Sequence, residues 1–281
     1  MPVTRHLDLD AFIAAVAPMS ARGEASASLF TGAAHALKRT PPHADERVHL
    51  ATCLDAAGFG AMVQRDDGPA LIGASDATAA IELATDLASD FPALRGVMGA
   101  PAACDAFVQR WTELTGRMPE LRVRLRQHML TAVNDVPLAN GQPRVAVAAD
   151  TAWLIDMQIA FIAEVGIHDR PERVAAFMPL RVARGDYWIW DDGGRVAYAA
   201  YNDAAPDFAR IAPVHTVAER RGRGYATALV AHLSRELLSR GKRRLFLTTD
   251  VANPTSNAIY ARIGFRPENE DCGFDFVGPG A

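Results

Sequence analysis

Residues 219–226 read Glu-Arg-Arg-Gly-Arg-Gly-Tyr-Ala. The apolar run Ile211-Ala212-Pro213-Val214-His215-Thr216-Val217 precedes them, and apolar residues at helical spacing follow, namely Leu229, Val230, Leu233 and Leu237. A strand, a short glycine loop and a helix start, in that order, bring backbone N–H groups and the positive end of a helix dipole to one point. Such a junction binds phosphate. A P-loop would need Gly-Lys-Ser/Thr at the helix start, and Gly224-Tyr225-Ala226 offers neither the lysine nor the hydroxyl. The dinucleotide fingerprint would need a third glycine where Thr227 stands. Gly222 and Gly224 could also make a mere tight turn, but Arg221 in front, the strand before and the helix after favour the pyrophosphate role.

A second constellation lies downstream. Leu245-Phe246-Leu247-Thr248-Thr249 reads as a strand, and Asn253-Pro254 reads as a helix cap followed by proline at the first helical position, with Gly264 as the stop. Asn253 and Tyr260 are seven residues apart, about two helical turns, so they share a face. Tyr260 could be core filling and Asn253 could be only a cap; Ile259 and Ile263 already supply an apolar stripe.

Arg221-x-x-Gly224-x-Ala226 resembles the Arg/Gln-x-x-Gly-x-Gly/Ala signature of the GNAT superfamily of N-acyltransferases, and the Asn253…Tyr260…Gly264-Phe265 segment is similar to that superfamily's downstream motif. The resemblance covers roughly Arg144 to the C-terminus. It implies acetyl-CoA as acyl donor, with its pyrophosphate cradled by Arg221, Gly222, Arg223, Gly224, Tyr225, Ala226 and Thr227. Asn253 would contact the pantetheine arm, and Tyr260 would stand beside the thioester sulfur as the acid for the departing thiolate. A backbone N–H near Thr216 or Val217 would meet the acyl oxygen, on a strand that splays away from the Leu245 strand. The reaction implied is direct attack by a primary amine in a ternary complex, with neither metal nor covalent intermediate. The acceptor is a small-molecule or peptide amine. The base is open: His215 is placed for it, and Glu219, Asp250 and a water relay are rivals. An acyl-CoA sensor or an interaction protein is the alternative function.

The elements that must position these residues follow from Arg144 onward. Arg144–Ala148 reads as a strand, and Asp150 as the cap of a helix carrying Trp153, Leu154, Met157, Phe161 and Ile162. A helix from Pro171 through Val182 follows, then the hairpin Tyr187–Trp190 and Val196–Tyr201 around Asp191-Asp192-Gly193-Gly194. The last strand is expected near Phe274–Val277. This order resembles a GNAT domain, an α/β (α+β) fold with a mixed, mostly antiparallel sheet flanked by helices.

The first half repeats the rhythm. Arg47–Leu54, Gly60–Gln64 and Ala70–Ile72 read as strands, Ala77–Ala88 as a helix, Leu94–Met98 as a strand and Ala102–Trp111 as a helix ending near Gly116. Its counterpart of the glycine loop is Gly73-Ala74-Ser75-Asp76-Ala77, whose carboxylate would repel pyrophosphate and caps the helix instead. The expectation is a degenerate GNAT-like α/β domain at 1–137 that binds no CoA and walls the acceptor side, with an unrelated α/β domain as the alternative, a linker at 138–143, and the acetyltransferase domain at 144–281.

Composition sets limits. With 33 acidic against 29 basic side chains, the net charge of −4 gives no case for nucleic acid or membrane binding. Lys242, Arg243 and Arg244 follow a helix C-terminus roughly 25 Å from the loop at about 1.5 Å per residue, where the dipole explains them. Cys53, Cys104 and Cys272 are scattered and odd in number, which suits a reducing compartment. Ala11–Ala17 is too short to span a bilayer, and Asp8 and Asp10 precede it where a signal peptide carries positive charge. The chain reads as cytoplasmic, with a homodimer left open.

Overall fold

The computed structural model of the 281-residue chain describes residues 2–21, 25–39, 42, 46–54, 58–66, 68–167 and 169–278. It divides into two compact units, Met1–Gln127 with Thr249–Ala252 and Glu268–Ala281, and His128–Thr248 with Asn253–Pro267.

The first unit runs β1 (Val3–Arg5), α1 (Leu9–Ala21), α2 (Ala25–Arg39), β2 (Val48–Leu54), β3 (Phe59–Arg65), β4 (Ala70–Ala74), α3 (Ala77–Ala88), β5 (Gly96–Gly99), α4 (Pro101–Thr115) and β6 (Met118–Leu130), whose last three residues belong to the second unit. Strands β1 to β4 pair antiparallel in sequence order, and β4 pairs parallel with β5. Alternate residues of β3 serve two cores, Met62 joining Leu83, Phe107 and Trp111 under α3 and α4, and Ala61 and Val63 joining Phe12, Val16 and Leu37 under α1 and α2.

The second unit repeats this order. It runs β7 (Gln142–Val145), α5 (Thr151–Val165), α6 (Pro171–Ala183), β8 (Tyr187–Asp191), β9 (Arg195–Ala205), β10 (Phe208–Thr216), α7 (Tyr225–Ser239), β11 (Arg244–Asp250) and α8 (Pro254–Ile263). Strands β7 to β10 are antiparallel and β10 pairs parallel with β11. Strand β8 is apolar at every position from Tyr187 to Trp190 because both its faces are covered: Trp188 and Trp190 pack with α7, Tyr187 and Ile189 with α5 and α6. The repeat expected from element order is therefore present in pairing pattern too, and each unit is a mixed sheet flanked by helices.

Several local expectations change. Strand β7 covers Gln142–Val145 rather than Arg144–Ala148, so pairing with β8 begins inside the expected 138–143 linker, at Gln142 and Pro143. Asp150 does not cap α5. Its backbone is helical, and its carboxylate is taken by Arg144 Nη1 at 2.7 Å, Nη2 at 3.0 Å and the Val147 N–H at 2.9 Å. Those bonds, the Arg144 pair foremost, hold its carboxyl down to about 2. The last strand, β12 (Arg266–Val277), is three times the expected length and lies in the first unit from Glu268 onward, where Cys272–Asp275 pair antiparallel with Gly99–Gly96. The units are thus discontinuous in sequence, unlike the expected 1–137 and 144–281. A truncation starting near Gln142 would strip Leu130 and Val136 from the second unit's core and leave β12 without β5, so it cannot isolate the C-terminal half.

Phe276 carries β12 into the first unit's core. Its ring stacks on Trp111 at 5.5 Å, and Trp111 stacks in turn on Phe107 at 5.7 Å. Phe276→Ala is expected to destabilise the first unit by about 3–5 kcal/mol, the range for emptying a buried aromatic site. Denaturant unfolding followed by tryptophan fluorescence checks this; a loss under about 1 kcal/mol would make β12 peripheral to that core.

Candidate active site

Strand β10 and the start of α7 build the site. Parallel pairing of β10 with β11 is confined to Phe208–Arg210 against Arg244–Phe246. Between Ile211 and Val214 β10 carries an irregularity in its register with β9, one residue longer on the β10 side, and Pro213 within it has no N–H to give. Past this point β10 pairs with β9 alone among the described residues, in the order Val214–Ala199, His215–Tyr198 and Thr216–Ala197. The Val217 N–H donates to the Val196 carbonyl at 3.0 Å, and the Val217 carbonyl accepts from Arg220 N at 2.9 Å. Antiparallel alternation then turns the Thr216 N–H away from β9, towards the side that β11 has left. Of the two residues expected to offer an oxyanion contact, Thr216 is the one with a donor available.

The loop that follows ends in Gly222 at φ +76° and Gly224 at φ +81°. A Cβ at Gly222 would meet nothing within 4 Å, and one at Gly224 only Ala139 at 4.0 Å. Backbone conformation, not space, demands these two glycines. Gly224 caps α7 with no side chain, and the first helical bond runs from Ala228 N to the Gly224 carbonyl at 3.0 Å. The N–H groups of Tyr225, Ala226 and Thr227 therefore point out of the first turn with no acceptor among the described residues. Tyr225 anchors this turn by donating its hydroxyl to Asp192 of the β8–β9 turn, a bond that raises the phenol's pKa. The first unit differs at the same place: Asp76 caps α3, accepting from Ala79 N at 2.9 Å, and this bond lowers its carboxyl.

His215 is buried at the end of β10 beside Phe161, whose ring meets it edge-on at 6.0 Å. Burial lowers its pKa, so the imidazole is neutral near pH 7 and able to accept a proton. Arg221 does not point into the loop. Its Nη2 donates to Glu164 at 2.6 Å and its Nε to the Thr216 carbonyl at 3.1 Å. Glu164 also stands 3.8 Å from His215 Nδ1. Arg223 is exposed.

Helix α8 presents the remaining residues. Asn253 Oδ1 accepts from Ser256 N at 3.0 Å, so the residue caps the helix, and it is exposed. Gly264 ends the helix at φ +113°, where a Cβ would come within 3.0 Å of the Ala132 carbonyl. Tyr260 is half-buried against Phe265 at 5.9 Å and His128 at 6.5 Å. Its phenol is pushed up to about 12 by burial, and its hydroxyl has no hydrogen bond among the described residues.

The structure thus brings together Thr216, His215 and Arg221, and places Gly222 to Thr227 in one turn. Tyr260 lies on α8 and Asn253 caps it, and among the described residues no hydrogen bond or ring contact joins either to His215. Glu219 is exposed on the turn Ala218–Arg220, and Asp250 Oδ1 accepts from Ala252 N. Lys242 and Arg244 bond Asp203 and Asp207 around the end of the hairpin, so carboxylate partners, which the dipole reading of that cluster did not include, hold these two cations. Glu164 and Asp192 escaped the sequence reading. A lone acid in the last turn of a helix reads as solvated, and nothing in the sequence pairs Glu164 with an arginine 57 residues away.

Residues 154–265 match the model of the acetyltransferase (GNAT) family, so the C-terminal half carries a GNAT acetyltransferase domain. No curated protein matches the chain. Among solved structures, an acetyltransferase from the GNAT family of Colwellia psychrerythraea superposes with a TM-score of 0.58 at 13% identity, over 99% of this chain and 100% of that one. A GCN5-related N-acetyltransferase from Sphaerobacter thermophilus gives 0.61 at 15% identity, over 87% and 85%. A tandem GNAT protein from the clavulanic acid biosynthesis pathway, described without AcCoA, gives 0.54 at 15% identity, over 89% of each. These likenesses extend the shared fold across both halves of the chain. Among the described residues no helix is long and apolar enough to cross a membrane.

Proposed function

We propose that the chain is an N-acetyltransferase that moves an acetyl group from acetyl-CoA to a primary amine by direct attack. The observation that carries this reading is the continuity of unused backbone donors from Thr216 on the open side of β10 to the uncapped first turn of α7. An anionic pyrophosphate suits the N–H groups of Tyr225, Ala226 and Thr227, with Gly222 and Gly224 shaping the approach and Arg223 adding charge. The free edge of β10 suits an extended amide-bearing arm that pairs as a strand would, and Asn253 remains exposed to add a contact. The acetyl-CoA thioester supplies the activated acyl group.

The chain's own residues then divide the work. His215, neutral and buried, takes the proton from the attacking amine. The Thr216 N–H meets the charge that develops on the acyl oxygen. Tyr260 keeps its proton at any pH below about 12, so it faces the departing thiolate with an O–H, never with a phenolate. Holding both substrates in one geometry supplies much of the acceleration. The first unit, with Asp76 filling the corresponding helix N-terminus, binds no donor.

Calorimetry with acetyl-CoA is expected to give one site per chain, and a thiol-release screen over a panel of amines identifies the acceptor. Gly224→Asp places a carboxylate among the donors and is expected to weaken acetyl-CoA at least about 100-fold while the protein still unfolds cooperatively, since aspartate tolerates the left-handed conformation better than most residues. Two sites per chain, or wild-type affinity in the variant, would overturn the assignment. For Tyr260→Phe the expectation is an affinity for acetyl-CoA within about threefold of wild type and a kcat lower by about 10- to 100-fold. A single-turnover rate equal to wild type would return Tyr260 to the core.

A further inference from the structure

Phe161 and Glu164 are three residues apart in the last turns of α5 and lie on one face of it. That face meets the end of β10. Phe161 fixes one side of the His215 ring, and Glu164 offers its carboxylate 3.8 Å from His215 Nδ1 while accepting Arg221 Nη2 at 2.6 Å. The charged and titratable groups facing His215 are therefore Glu164 from α5, Arg221 from the loop and the Tyr198 phenol from β9, whose ring is 6.0 Å away. Tyr198 directs its hydroxyl to Gln158 Oε1 at 3.2 Å, and burial keeps it protonated. The live competition is between an arginine and an imidazole for one carboxylate.

At present the arginine holds it. A separation of 3.8 Å is an ion-pair contact and too long for a hydrogen bond, whereas 2.6 Å is a short charge-assisted bond. The Arg221 bond is also what chiefly lowers the Glu164 carboxyl. A pyrophosphate seated at Gly222–Thr227 brings a stronger claimant, because phosphate oxygens accept a guanidinium fork in pairs.

We propose that Glu164 is a positioning residue that changes partner when the donor binds, yielding Arg221 to the donor's pyrophosphate and taking the Nδ1–H of His215. The proton would then sit on Nδ1 and the bare Nε2 would face the amine. Both changes, a cation leaving and a carboxylate arriving, raise the affinity of the imidazole for a proton. The base would be set only once the donor is in place. This inference rests on the donor reading above.

The test follows the His215 ring by NMR through a pH titration of the full chain, with and without CoA, in wild type and in Glu164→Gln. The ring resonance is assigned with His215→Gln, and CoA binding is measured by calorimetry in the same samples. Glu164 is half exposed, with a side-chain accessibility of 49%, so the amide is expected to fold. In wild type, CoA is expected to raise the His215 pKa by about one unit or more, the usual effect of a carboxylate at close range. In Glu164→Gln the rise should fall to less than about half, the remainder coming from the charge of CoA and from the removal of Arg221. If CoA binds and the wild-type pKa stays still, or if both proteins show the same rise, the exchange of partners is overturned and the donor reading survives. If CoA does not bind, the donor reading fails and this inference with it.

Discussion

Three backbone N–H groups, those of Tyr225, Ala226 and Thr227, stand at the start of α7 without an acceptor among the described residues, and the rest of the second unit is arranged to keep them so. The two glycines in left-handed conformation turn the chain sharply into the helix without supplying a capping side chain. With glycine in the cap position, forgoing a side-chain cap costs only roughly a few tenths of a kcal/mol. Against that, Leu229, Leu233 and Leu237 are fully buried, each contributing about 1.5–3 kcal/mol, and the Tyr225–Asp192 bond ties the first turn to the β8–β9 hairpin. The helix therefore stays put with an unsatisfied end. The parting of β10 from β11 leaves the Thr216 N–H turned to the open side of β10, leading up to it.

The two units make a controlled comparison of that constraint. They share element order and the same sequence of antiparallel pairs ending in one parallel pair. At the helix after the third long strand, one carries Asp76 and the other Gly224. Asp76 satisfies the Ala79 N–H with its own charge, so that helix dipole is already neutralised by the chain. A single side chain closes in one unit the helix N-terminus that the other leaves open. Fold similarity by itself would not separate the two halves; the cap does.

The sequence made this much legible because glycine, proline and capping residues act locally. The glycine loop, the Asn253–Gly264 helix, the Asp76 cap and the hairpin around Asp192 all stand where local chemistry puts them. What escaped depends on partners remote in sequence. Strand β6 alternates Glu120, Arg122, Arg124, Arg126 with Leu121, Val123, Leu125, a period-two signal that its charge conceals. Its charges are used: Arg122 pairs with Asp275, and Arg126 with Glu270, both on β12. The destination of β12 could not be read from Phe274–Val277, because what places it is Trp111 stacking on Phe276 across 165 positions. Helix α1 does carry a local signal that went unread: Asp8 caps it, accepting from the N–H groups of Asp10 at 2.7 Å and Ala11 at 3.0 Å. Asp150 looked like a helix cap and was instead claimed by Arg144, a stronger partner than a backbone N–H.

Burial shapes the two candidate proton-transfer groups in opposite numerical directions and to one chemical end. It lowers the His215 imidazole and raises the Tyr260 phenol, because in each case water is withdrawn from the charged form. At neutral pH both groups are uncharged, one with a lone pair to accept and the other with a proton to share. In the proposed reaction the attacking amine gains positive character while the leaving sulfur gains negative character, and neither residue begins with a charge that would oppose its task. A phenol held near 12 binds its proton more tightly than an ordinary thiolate does, so Tyr260 is suited to hydrogen-bond the departing sulfur rather than to surrender its proton completely. In the proposed reaction the larger share of proton movement then falls to His215 rather than to Tyr260.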